Sequence, residues 1–133
     1  MIVNNAGFVL GVEKVGEISE ADIEAMFNTN VFGLIAVTQL LIKGMTLSFN
    51  IAPRHVQVGE LCMIDFKEKR SGHIINIGSV AGRESYAGGA IYCATKHAVS
   101  AFTGSLLREV VDTPIRVTEL QPGMVETGRV AFT

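Results

Sequence analysis

The chain has 133 residues, 48% of them hydrophobic, and its 11 lysines and arginines against 13 aspartates and glutamates leave a net charge of -2. That length suits one modest domain and is short for two, and the charge balance excludes a basic nucleic-acid surface or an anionic-membrane surface as its organising feature. Cys62 and Cys93 lack a Cys-x-x-Cys pattern and histidines at zinc spacing, so they read as free thiols in a reducing, cytoplasmic setting with no metal site.

Ile2 and Val3 read as a short strand that ends in the turn composition Asn4-Asn5-Ala6-Gly7. Ser19, with Asp22 three residues on, predicts a capped helix start, Asp standing where Glu or Gln is usual. From there Ile23, Met26, Phe27, Val31, Leu34, Ile35, Thr38 and Leu41 recur at three and four and mark one buried stripe. Asn30 falls in that stripe, where an unpartnered amide costs on the order of 1 to 3 kcal/mol, so it is either a satisfied structural asparagine or part of a site. The longest apolar stretch, residues 31 to 42, is interrupted by Thr38 and Gln39 and falls short of the ~18 residues that argue for a membrane span. The first residues also lack the basic and apolar regions of a signal peptide.

Residues 46 to 62 follow neither the helical nor the strand period, and Pro53 blocks continuation of the helix. Without them Lys43-Gly44-Met45 runs into Ile64-Asp65-Phe66, with Met45 and Met63 interchangeable at the join. The segment reads as an insertion, with translated intron sequence as one source.

Residues 73 to 78 form an apolar strand that brings the Ser79 hydroxyl out at the carboxyl end of a sheet. A glycine-rich loop, residues 81 to 89, leads into a helix ending near Val111, on which Tyr92 and Lys96 stand four apart and share a face. A phenol alone loses its proton near pH ~10, and a fixed ammonium beside it favours the phenolate. Ser79, Tyr92 and Lys96 are therefore a candidate proton-transfer trio. Tyr86 competes, but four residues after it stands Ala90, so it has no ammonium on its face. Cys93 and His97 are each turned about 100° from Tyr92 and Lys96 and read as packing residues. Ile115–Leu120 is a third strand, ended by Pro122 and Gly123, and the alternation of strand and helix predicts an α/β fold with a parallel sheet and right-handed crossovers.

Asn4-Asn5-Ala6-Gly7, Asn30, the Ser79, Tyr92 and Lys96 set, and Pro122-Gly123 occur in an order that resembles the short-chain dehydrogenase/reductase family. Within it, residues 78 to 86, 91 to 99 and 112 to 127 look closest to NADP-dependent 3-hydroxy acid dehydrogenases, a group that includes serine and allo-threonine dehydrogenases. The resemblance implies hydride transfer between NADP(H), with NAD as the alternative cofactor, and a small carbonyl or secondary-alcohol substrate. It implies that Tyr92 is the general acid or base, that Lys96 tunes it and binds the nicotinamide ribose, that Ser79 holds the substrate oxygen, and that Asn30 anchors a water linking Lys96 to solvent. Asn4, Ala6 and Gly7 would meet the adenosine side of the cofactor, and Pro122, Gly123, Val125 and Thr127 its nicotinamide amide and phosphates. Arg83, which could be imagined facing a substrate carboxylate, reads as a solvated loop residue.

Against that family's pattern, the glycine-rich strand, turn and helix that receive the pyrophosphate, and the C-terminal part, are expected to be missing. Residues 1–133 then form a single partial domain, a partial Rossmann-type doubly wound sheet whose strands resemble the fourth to sixth of the family. Two functional expectations follow. The chain is an oxidoreductase of this type, a homo-oligomer through its two long helices when the full domain is present. Alternatively, it is a catalytically inactive family member that at most binds other subunits through those helices.

Overall fold

The computed structural model describes residues 1–43 and 72–124 of the chain. In chain order these are β1 Ile2–Asn4, α1 Glu20–Phe27, a π-helical turn Asn28–Gly33, α2 Leu34–Lys43, β2 Gly72–Ile77, a 3-10 turn Val80–Gly82, α3 Ala90–Glu109 and β3 Ile115–Leu120. The proposed insertion at residues 46 to 62, Cys62, Val125 and Thr127 lie outside the described residues.

The three strands are parallel in the order β1-β2-β3, with Ile2 opposite Ile74 and Ile74 opposite Val117. When neighbouring parallel strands follow one another in sequence, right-handed crossovers carry both connections over the same face of the sheet. That face holds the core: Ile74 packs with Leu41 of α2 and with Leu106 and Val110 of α3, and Ile2, Ile115 and Val117 pad the edges. Toward the carboxyl ends of the strands the same face turns polar. Asn4 and Asn76 are register partners, the Asn4 amide donates to Asn76 Oδ1 at 2.8 Å and to Thr38 Oγ1 at 3.2 Å, and Asn76 donates to Thr103 Oγ1 at 2.9 Å. No buried side-chain nitrogen or oxygen among the described residues lacks a partner, so this belt fixes the register without an unmet polar group.

Ser19 caps α1 as its spacing predicts, its Oγ accepting from Asp22 N at 3.1 Å. The predicted single stripe holds, with Met26, Val31, Leu34, Thr38 and Leu41 buried, but the helix widens by one turn of π geometry around Asn30. From Glu20 to Ile42 the continuous helix is long and apolar enough, by length and composition, to cross a bilayer, which corrects the expectation drawn from residues 31 to 42 alone. Here its stripe is packed against α3 and the sheet, and its interior polar groups Asn30 and Thr38 bond to protein partners.

Candidate active site

The site gathers where β1 and β2 end, at the side of α3. Lys96 is only 5% exposed, and its Nζ donates to the backbone oxygen of Ile77, the last residue of β2, at 2.9 Å. Four residues earlier on α3 the Tyr92 ring centre lies 5.7 Å from that ammonium, so the shared helix face is realised. Burial pushes the Lys96 ammonium below its ordinary value, and the Glu119 carboxylate partly opposes this. Tyr86 is half exposed and its phenol is pushed up, first by burial and then by the charges of Cys93 and Tyr92, the wrong direction for a base near neutrality.

Gly7 completes the group from the loop after β1. A Cβ at this position would meet Asn30 Oδ1 at 3.2 Å and Lys96 Nζ at 3.5 Å, so the loop backbone lies directly over both side chains. Asn30 is 1% exposed and holds the loop in place: Oδ1 accepts from Phe8 N at 3.0 Å, and Nδ2 donates to Phe8 O at 2.9 Å and to Thr95 Oγ1 at 3.1 Å. Asn30 lies within the π turn, a geometry frequent at functional sites, and from there bonds both the loop and α3. Thr95 escaped the sequence reading; it is fully buried, accepts from Asn30 and donates to Tyr92 O at 2.8 Å, tying the tyrosine's own turn of α3 to the loop.

Ser79 leaves β2 two residues after Ile77 and caps the 3-10 turn, its Oγ accepting from Ala81 N at 3.1 Å. Gly82, in that turn, has room for no side chain, since a Cβ there would stand 2.8 Å from Lys96 O. Strand end, turn and α3 are thus locked together around Lys96. A shallow depression, open to solvent, lies beside Tyr92 and is walled by Val9, Leu10, Met26, Gly88 and Ile91.

The other predicted residues sit apart from this cluster or serve the scaffold. Asn4 directs its amide into the polar belt of the sheet interior, while Ala6 is exposed. Pro122 accepts from Val80 N at 3.1 Å, and both it and Gly123 are exposed, with open space where a Gly123 side chain would be. Cys93 is a buried thiol and packs as expected, whereas His97 is exposed and only bonds Cys93 O through Nδ1 at 2.8 Å.

The family model described as short chain dehydrogenase matches residues 1–132. Among curated proteins, an NADP-dependent 3-hydroxy acid dehydrogenase of Schizosaccharomyces pombe is 39% identical over 127 residues, which cover 96% of this chain and 41% of that protein. Among solved structures, serine dehydrogenase from Escherichia coli superposes with a TM-score of 0.74 at 38% identity, covering 93% of this chain and 47% of that one. The closed form of serine dehydrogenase complexed with NADP+ matches with the same TM-score of 0.74 and identity of 38%, covering 42% of that chain. The present chain thus spans less than half the length of these relatives.

Proposed function

The chain belongs to the short-chain dehydrogenase family, and on that premise we propose that it carries the proton-transfer centre of an NADP-linked oxidoreductase acting on the carbonyl or secondary alcohol of a 3-hydroxy acid. The observation that supports this most is a buried ammonium, Lys96, fixed on Ile77 O at 2.9 Å with the Tyr92 ring 5.7 Å away. A buried charge costs stability unless it is paired and hydrogen-bonded, and an ammonium kept buried beside a phenol is the arrangement expected of acid and base work.

NADPH, when bound, supplies a hydride to the carbonyl carbon. In the reducing direction Tyr92 gives its phenolic proton to the carbonyl oxygen, and the charge left on the phenol is held beside the Lys96 ammonium. In the oxidising direction the same phenolate takes the alcohol proton. Ser79 donates its hydroxyl to the reacting oxygen and so orients it. Asn30 acts through Phe8 and Thr95, keeping the Gly7 backbone over Lys96; the second lone pair of its Oδ1 is available to a water that links Lys96 to solvent.

The residues present fit the nicotinamide-ribose end of the cofactor. Lys96 has two further N–H donors beyond the one on Ile77 O, Gly7 offers exposed backbone 3.5 Å from Nζ at its virtual Cβ, and no described atom lies within 4 Å of where a Gly123 Cβ would be. Gly7, Lys96, Pro122 and Gly123 would hold that end, joined by Val125 and Thr127 and, on the adenosine side, by Asn4 and Ala6.

A second reading has its own support in the apolar residues that α2, α3 and the π turn leave in solvent. Phe32 is 56% exposed and Leu107 50%, as expected of a chain that binds further subunits rather than substrate. Titrating the purified chain with NADPH and following the cofactor's fluorescence separates the two. Saturable enhancement that weakens at least tenfold in Lys96→Met supports the oxidoreductase, while no binding at millimolar cofactor leaves only the subunit-binding reading.

A further inference from the structure

Glu119 lies on β3 and takes no part in the chemistry assigned above, yet the fold makes room for its carboxylate. Its Oε1 accepts from Ser100 Oγ at 2.6 Å, and Gln121 donates to the same hydroxyl at 3.2 Å, so the carboxylate is anchored to α3 one turn beyond Lys96. On the other side it touches Gly78, where any Cβ would collide with Oε1. Gly78 directly follows Ile77, whose oxygen receives the Lys96 ammonium. Gly82 makes the matching accommodation: a Cβ there would lie 3.0 Å from Ser100 Oγ as well as 2.8 Å from Lys96 O. Two glycines thus keep the strand end and the turn closed over a carboxylate, a serine and a lysine.

We propose that Glu119 is a positioning residue of the active site, its carboxylate, fixed by Ser100 and Gln121 behind the Gly78 turn, supplying the counter-charge for the buried Lys96 ammonium. Among the described residues the other groups around that ammonium are the Ile77 carbonyl from β2, the Gly7 backbone and the Asn30 amide from the opposite side, and the Tyr92 phenol on α3, none of them a carboxylate. An ammonium buried among neutral groups tends to lose its proton, and a neutral amine could neither hold a phenolate nor donate three hydrogen bonds. The direction agrees, since Glu119 raises the proton affinity of Lys96 against the effect of burial. The role in catalysis rests on the oxidoreductase reading; the charge coupling does not.

The test is a pH titration of the Lys96 side chain by NMR in chain carrying isotope-labelled lysine, with the signal assigned by its loss in Lys96→Arg. Glu119→Gln keeps an acceptor for Ser100 and removes the charge. The Lys96 midpoint is expected to move to lower pH, raising the neutral fraction at a fixed pH below it roughly twofold or more, and Glu119→Asp restores it in part. Identical midpoints in wild type and Glu119→Gln overturn the proposal. Should Glu119→Gln not fold, Ser100→Ala, which releases the carboxylate from its anchor, must shift the midpoint in the same direction, and an unmoved midpoint again overturns it. No turnover is needed for this reading, so a chain that fails to oxidise NADPH counts against the function proposed above and leaves the Glu119 coupling to be decided by the titration.

Discussion

Lys96 is the residue on which the site turns, and its burial has a consequence for stability that can be measured without substrate. Its folded value lies below the ordinary 10.5, so between the two the unfolded chain binds a proton that the folded chain does not. Stability therefore rises with pH across that window, and the cost of burying the charge is fully present below the folded value. Denaturant unfolding of wild type and Lys96→Met should show a difference in stability that shifts in favour of wild type as pH climbs toward 10.5; a difference independent of pH would mean that Lys96 is not buried as a charge. The spacing of Tyr92 and Lys96 was legible in the sequence because helical neighbours are set by geometry alone. The partners of Asn30 were not, since Phe8 and Thr95 stand 22 and 65 residues away in sequence. For the same reason Thr95 and Glu119 passed unnoticed: nothing local marks a threonine or a glutamate whose partner comes from another element.

At the scale of elements, the strands and the long helices follow the sequence pattern closely. The third strand occupies Ile115–Leu120 as expected, and the long helix closes at Glu109 with Val110 as its cap, beside the expected end near Val111. What the pattern hides is the π turn at Asn28–Gly33, because the hydrophobic stripe continues through it and only the reach of Asn30 toward Phe8 betrays the wider turn. The contact of the 3-10 turn with α3 is equally silent in sequence, since Gly82 reads simply as a loop glycine. Its virtual Cβ lies 2.8 Å from a backbone oxygen, an atom that cannot swing aside. Gly82→Ala should therefore cost about 1 to 3 kcal/mol in denaturant unfolding and displace Lys96. A variant as stable as wild type would show that the turn is not held against the helix.

For the molecule as a whole, the parallel order β1-β2-β3 places both described crossovers on one face. On the other face Val3 and Leu120 are 46% and 48% exposed, and His73 bonds Thr118 and Arg116 across the surface. The α/β class was legible because strand and helix periods alternate along the chain. How the second face is covered was not, since no described residue packs on it in the manner of the first. Among the described residues, the exposed positions on that face and on the helices agree with a chain spanning less than half the length of its relatives. Within this span Lys96 is bonded to Ile77 O with the Tyr92 ring 5.7 Å from its ammonium, and Asn30 is bonded to Phe8, next to Gly7, and to Thr95, all among the described residues themselves.

The most direct test is a single-turnover reaction with the chain in excess over NADPH, a 3-oxo acid as acceptor, and cofactor oxidation followed by its absorbance, in wild type and Tyr92→Phe. Removing a general acid typically costs 10²- to 10⁴-fold, so the account predicts a decay in wild type that slows by at least about 100-fold in the variant while the fold is retained. Equal decay in the two proteins would contradict the assignment of Tyr92 as the proton donor, and with it the site built around Lys96.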